Sequence, residues 1–130
     1  MSSALKFSQK PAVGETVVVD TGLLRPYLTM ITGHGTKGDE PILFHAGDGW
    51  CRPEDVTVIP RRMAILMAVV ADELRARDAA SYEEHKGAIY LAALETYADG
   101  GDQEADLAKL REAAVAAAAR LGTEAPAPRM

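Results

Sequence analysis

The sequence predicts an α+β protein, a small β-barrel followed by helices, and three observations lead there. Short β-branched runs separated by glycine- and proline-rich turns fill residues 1–60; the apolar period then changes from two to about 3.6 at Arg61; and strong caps divide residues 61–122 into separate helices. The expected organisation is a barrel over 1–60, a helical segment over 61–122 and a disordered tail over 123–130, where Pro126 and Pro128 fall.

Gly14-Glu15-Thr16-Val17-Val18-Val19-Asp20 reads as the first strand, closed by Thr21-Gly22. Tyr27 to Thr32 reads as the second, with Pro26 confined to its start because it has no N–H for a ladder. Gly33-His34-Gly35-Thr36-Lys37-Gly38-Asp39-Glu40-Pro41 reads as a long loop. Ile42 to Ala46 forms a third strand, with Phe44 assigned to the core, and Gly47-Asp48-Gly49 turns it into Trp50-Cys51-Arg52. Pro53-Glu54-Asp55 fits one helical turn, and Val56 to Ile59 a last short strand ended by Pro60.

Met63, Leu66, Met67, Val70 and Leu74 recur at helical spacing, which predicts a helix over about 61–79. Ser81-Tyr82-Glu83-Glu84 has the form of a capping box opening a second helix to about Ala98. Asp99-Gly100-Gly101-Asp102 stops it and caps a third, whose stripe is Leu107, Leu110, Ala114, Ala117 or Ala118 and Leu121, with Gly122 as its stop. That alanine-rich stripe suits close helix packing within the chain or self-association.

The run from Gly49 through Trp50, the Pro53-Glu54-Asp55 turn and Val56 to Ile59 resembles the end of an SH3-like barrel, in which a Trp-bearing strand, one helical turn and a final strand succeed each other. Gly14 to Val19 looks like its opening strand, so the resemblance spans about residues 12–60. It implies a five-stranded SH3-like barrel followed by two to three helices, and a module that binds peptides, protein domains, RNA or ribosomes. The proline-peptide groove of such domains needs clustered aromatics, and with Phe44 in the core this half offers too few.

Composition narrows the partner. The 130 residues are 48% hydrophobic and 25% charged, with net charge −5. Residues 1–60 carry five basic and seven acidic side chains, and residues 61–130 nine and twelve. Neither half is a basic patch, so a protein partner is expected before a nucleic acid. One cysteine permits no internal disulfide. With no apolar leader and no run of about 20 apolar residues, a cytoplasmic protein without a membrane span is expected.

Candidate chemistries are sparse. His34, His45, Cys51 and His85 are possible metal ligands, but they lack the close pairs of a zinc site, so no metal or cofactor is expected. A Cys51 nucleophile would need His34 or His45 as its base, while its place beside Trp50 in a strand favours a buried thiol. The glycine-rich 33–38 stretch lacks the P-loop pattern leading into a helix. The expected function is therefore a non-enzymatic protein-binding adaptor, with Tyr27, Trp50 and Arg52 as anchors, His34 and Lys37 beside them, and the helices bracing it or making an oligomer. The alternative is a nucleic-acid- or ribosome-associated module using Arg25, Lys37, Arg52, Arg61 and Arg62. Third stands a small enzyme: strand, Arg25-Pro26, strand resembles ribonuclease toxins of the MazF type, though the connecting loop is shorter and the C-terminal half is not matched.

Overall fold

The computed structural model describes residues 11–98 and 100–123, so the tail expected beyond Thr123 lies outside the described residues. The chain forms two compact units divided between Arg61 and Arg62, one of β-structure and one helical.

The first unit is a five-stranded antiparallel sheet: β1 Thr16–Val19, β2 Tyr27–Lys37, β3 Glu40–His45, β4 Gly49–Cys51 and β5 Val56–Val58, in the order β4-β3-β2-β1-β5. The 3₁₀ turn Pro53–Asp55 joins the two edge strands, which do not pair with each other. The sheet is thus not closed into the barrel that the sequence led us to expect. Strand β2 is shared between two partners: its first part pairs with β1 (Val17↔Thr29, Val19↔Tyr27), and after a bulge between Ile31 and Gly33 it pairs with β3 as far as Lys37↔Glu40. Alternation then sorts the side chains. Val17, Val19, Ile31, Leu43 and Cys51 form the core on one face, with Tyr27, Val56 and Val58 packed against it.

Residues 33–41 are the main correction in this half. Instead of a long loop, His34 to Lys37 continue β2, and only Gly38 and Asp39 turn the chain into β3. Gly38 has φ 65°, the positive value that the first central position of a II′ hairpin turn requires. Pro41 pairs with Thr36, beyond the part of β3 that β4 covers, so its missing N–H breaks no ladder on that side.

The helical unit contains α1 Arg61–Thr96 and α2 Gln103–Thr123. The backbone of α1 leaves helical geometry at Asp78, with φ −161° and ψ 90°. Asp78 Oδ1 accepts the Ser81 amide at 3.0 Å, so Asp78 is the N-cap of the second segment. The capping box expected at Ser81–Glu84 is therefore displaced by three residues, and two helices, one of them broken, stand where up to three were expected. Asp102 caps α2 as expected, its Oδ1 accepting the Ala105 amide at 3.2 Å.

Met63, Leu66, Met67, Val70 and Leu74 are buried, as are Leu110, Ala114 and Ala117 of α2. The middle of the alanine-rich stripe is thus buried, while Leu107 and Leu121 at its ends are half-buried. Tyr82 and Tyr90, which periodicity did not single out, are buried, and their hydroxyls are hydrogen-bonded to each other. Two ion pairs tie the first segment of α1 to α2 in the same direction: Arg62 to Asp106 at 2.6 Å, and Arg111 to Glu73 through two nitrogens at 2.9 and 3.1 Å. Asp106 is only 4% exposed and also accepts the Gly100 amide at 3.2 Å. Arg62, then the Gly100 N–H, hold its carboxyl below the usual aspartate value against the opposing effect of burial.

Two outcomes are expected from this packing. A proton binds Asp106 more weakly in the folded chain, so its contribution is complete above the ordinary aspartate pKa and is lost as pH falls through the depressed value. Urea midpoints read by helical circular dichroism should fall in that acid window, and Asp106→Asn should lower the neutral midpoint and flatten part of the acid slope. In the sheet, a Cβ on Gly49 would overlap Cε1 of His45, its cross-strand partner. Gly49→Ala should cost roughly 1–3 kcal/mol in urea unfolding.

Candidate functional site

The outward face of the β2–β3–β4 half carries the most concentrated exposed aromatic surface. Phe44 and Trp50 are direct cross-strand partners, each 42% exposed. Both lie on the opposite side of their strands from Leu43 and Cys51, which are in the core. Beneath Phe44, β2 presents Gly33 and Gly35. A Cβ at Gly35 would come within 2.6 Å of the Phe44 ring and one at Gly33 within 3.6 Å, so the bare backbone of β2 gives the ring its seat. Lys37, at the end of β2, holds its Nζ 4.3 Å from the centre of the Trp50 ring. Met30, 47% exposed, continues the face along β2. The result is two half-exposed rings, one on glycine and one under a cation. Phe44 was expected in the core; the alternation of β3 puts Leu43 and His45 there instead.

The sequence-predicted anchors divide. Trp50 and Lys37 come together, and Arg52 is exposed directly after β4. Tyr27 is on the other face: its ring packs on the core and meets His45 edge-on, with centroids 5.4 Å apart. His34 pairs with Leu43 on that same side, and its Nε2–H donates to the Pro11 carbonyl at 2.7 Å. Of the cations in the alternative set, Arg25 precedes β2 while Lys37 ends it, which sets them at opposite ends of one strand. Arg62 is engaged by Asp106, and Arg61 is exposed at the start of α1.

The core side holds the polar groups from which a catalytic set would have to be built. His45 Nδ1 donates to the Ala46 carbonyl at 2.9 Å, which can only accept. Its other nitrogen, Nε2, is hydrogen-bonded to the Tyr27 hydroxyl at 3.1 Å. His45 is thereby committed at both nitrogens. Burial first, and then the Asp55 charge, push the Cys51 thiol up, which keeps it protonated and a poor nucleophile. Burial, followed by Cys51 and Asp55, raises the Tyr27 hydroxyl as well. His85 Nδ1 donates to the Ser81 carbonyl one turn earlier, at 3.1 Å. Among the described residues no three His, Cys, Asp or Glu side chains gather as a metal site.

Sequence reasoning misses Phe44 because the parity of β3 is not fixed by its own residues. The signal that could have found it is the Gly33-x-Gly35 pair, which in a strand marks close approach by a neighbour. No family model, curated protein or solved structure matches the chain. No described helix is long and apolar enough to cross a membrane.

Because Trp50 is the only tryptophan, it reports on this face directly. Lys37→Ala should increase acrylamide quenching of its fluorescence while moving stability by about 1 kcal/mol or less, the worth of an exposed cation–π contact.

Proposed function

We propose that the sheet unit is a non-enzymatic protein-binding module of the SH3-like kind, with Phe44 and Trp50 as its anchors and Lys37 and Arg52 beside them. The observation that carries this reading is the half-exposed Phe44–Trp50 pair seated on a glycine-bared strand. Support for the SH3-like reading is the succession of a Trp-bearing strand, a 3₁₀ turn and a final strand in a five-stranded antiparallel sheet. Rings held in place lose little entropy when a partner covers them, and Trp is among the residues most enriched at binding hot spots. Tyr27 and His34 contribute to this module by fixing the opposite side of the sheet, through His45 and Pro11. The acidic balance of the chain favours a protein partner with basic groups around an apolar centre.

The second reading, a nucleic-acid- or ribosome-associated module, draws on the same rings, since bases stack on exposed aromatics. Against it, Arg25 and Lys37 flank opposite ends of β2, and Arg62 is bound to Asp106. Arg52 and Arg61 remain as exposed cations for it.

The test is quantitative capture from the native host's lysate, with and without nuclease, using the full chain and a Phe44→Ala/Trp50→Ala variant. We expect a protein that survives nuclease and is retained at least about 30-fold less by the variant, the equivalent of roughly 2 kcal/mol. Partners lost on nuclease treatment, or with raised salt alone, would favour the second reading. Retention unchanged in the variant would refute both.

A further inference from the structure

The first segment of α1 carries a second exposed surface that the binding face does not use. Ile65 is 63% exposed and Val69 46%, and Ala68 beside them is exposed as well. The residues continuing this stripe at helical spacing are Arg61 towards the N-terminus and Asp72 towards the C-terminus, both exposed. The opposite side of the segment, Met63, Leu66, Met67, Val70 and Leu74, is buried. The order along the stripe is therefore cation, apolar centre, anion.

That order is self-complementary under a two-fold axis. Two copies of the segment laid antiparallel about a point between Leu66 and Met67 set Ile65 of each against Ala68 of the other, and Arg61 of each against Asp72 of the other. At 1.5 Å per residue each charge stands roughly 8 Å from the axis, level with its opposite. A parallel pairing would set like charges level. Within one chain Asp72 contacts Arg75 at 3.2 Å while remaining 81% exposed, an ion pair that competes weakly.

We propose that this stripe is a homodimer contact: two copies of the chain pair antiparallel through Ile65, Ala68 and Val69, with reciprocal Arg61–Asp72 ion pairs at both ends. The contact is about three turns long, which is small beside the interfaces of permanent dimers, so association is reversible and concentration-dependent. It is independent of the Phe44–Trp50 reading, and neither requires the other.

Sedimentation equilibrium of the full chain, from about 10 μM to about 1 mM, tests it. The weight-average mass should rise from 13.9 kDa towards twice that value. Ile65→Glu should hold it at the monomer value, with circular dichroism checking that the helices persist. Arg61→Asp and Asp72→Arg alone should each weaken association about tenfold, because each sets like charges opposite at both ends of the pair. The double variant Arg61→Asp/Asp72→Arg should restore it, a rescue that general loss of stability does not give. A mass that stays at 13.9 kDa throughout, a dimer indifferent to Ile65→Glu, or a double variant no better than the single ones would each overturn the proposal.

Discussion

Strand β2 is asked to pair with β1 over Tyr27–Met30 and with β3 over Ile31–Lys37, and it manages both by the bulge between Ile31 and Gly33. A bulge adds twist and bends its strand, which lets one short sheet wrap a core without a second layer of strands. The same irregularity fixes which side chains face out. Past it, Gly33 and Gly35 fall on the outer face, and the strand beside them can lay an aromatic ring across bare backbone. The core side is set by the same register: Ile31 opposes His45, whose two nitrogens hold the Tyr27 hydroxyl and the Ala46 carbonyl. Core, inner hydrogen bonds and outer rings are consequences of one register.

The helical unit rests on a different principle. In it Ala114 and Ala117 are covered, and charged pairs link the first segment of α1 to α2. Arg62–Asp106 is tied to the preceding loop through Gly100, so the start of α2 is determined as much by electrostatics as by packing. Bidentate pairing of Arg111 with Glu73 adds a second tie, five residues further along α2 and eleven further along α1.

Much of this is legible in the residues, and the exceptions have physical causes. Valine runs and the 3.6 period of Met63 to Leu74 announce themselves because burial selects them directly, and the Pro53 turn because proline presets its first residue. The extension of β2 through Gly33 to Lys37 is hidden because glycine signals a turn locally, while here it is demanded by a neighbour's ring. Asp78 is hidden for a related reason. The Ser81–Glu84 spacing fits a cap, yet the aspartate three residues earlier accepts the Ser81 amide itself and takes the position. As for the site, residue type offers Trp50, Lys37 and Tyr27 as anchors but does not say which of them face out, and pairing sets Tyr27 on the core side and Trp50 on the other. Faces are assigned by pairing partners, and a single sequence does not carry those.

The two edges of the sheet are three-residue strands with proline close behind each, Pro53 two positions after Cys51 and Pro60 two after Val58. An edge that short offers few free backbone donors and acceptors, and proline breaks the series further. These two strands therefore give an added strand little main-chain template, and the longer open edges lie on the β2–β3 arm past them, over 33–37 of β2 and 40–42 of β3, where Pro41 removes one donor. Beside Phe44 and Trp50, then, it is the short β4 that forms the border of the sheet, and backbone open to pairing is found only further along the hairpin arm.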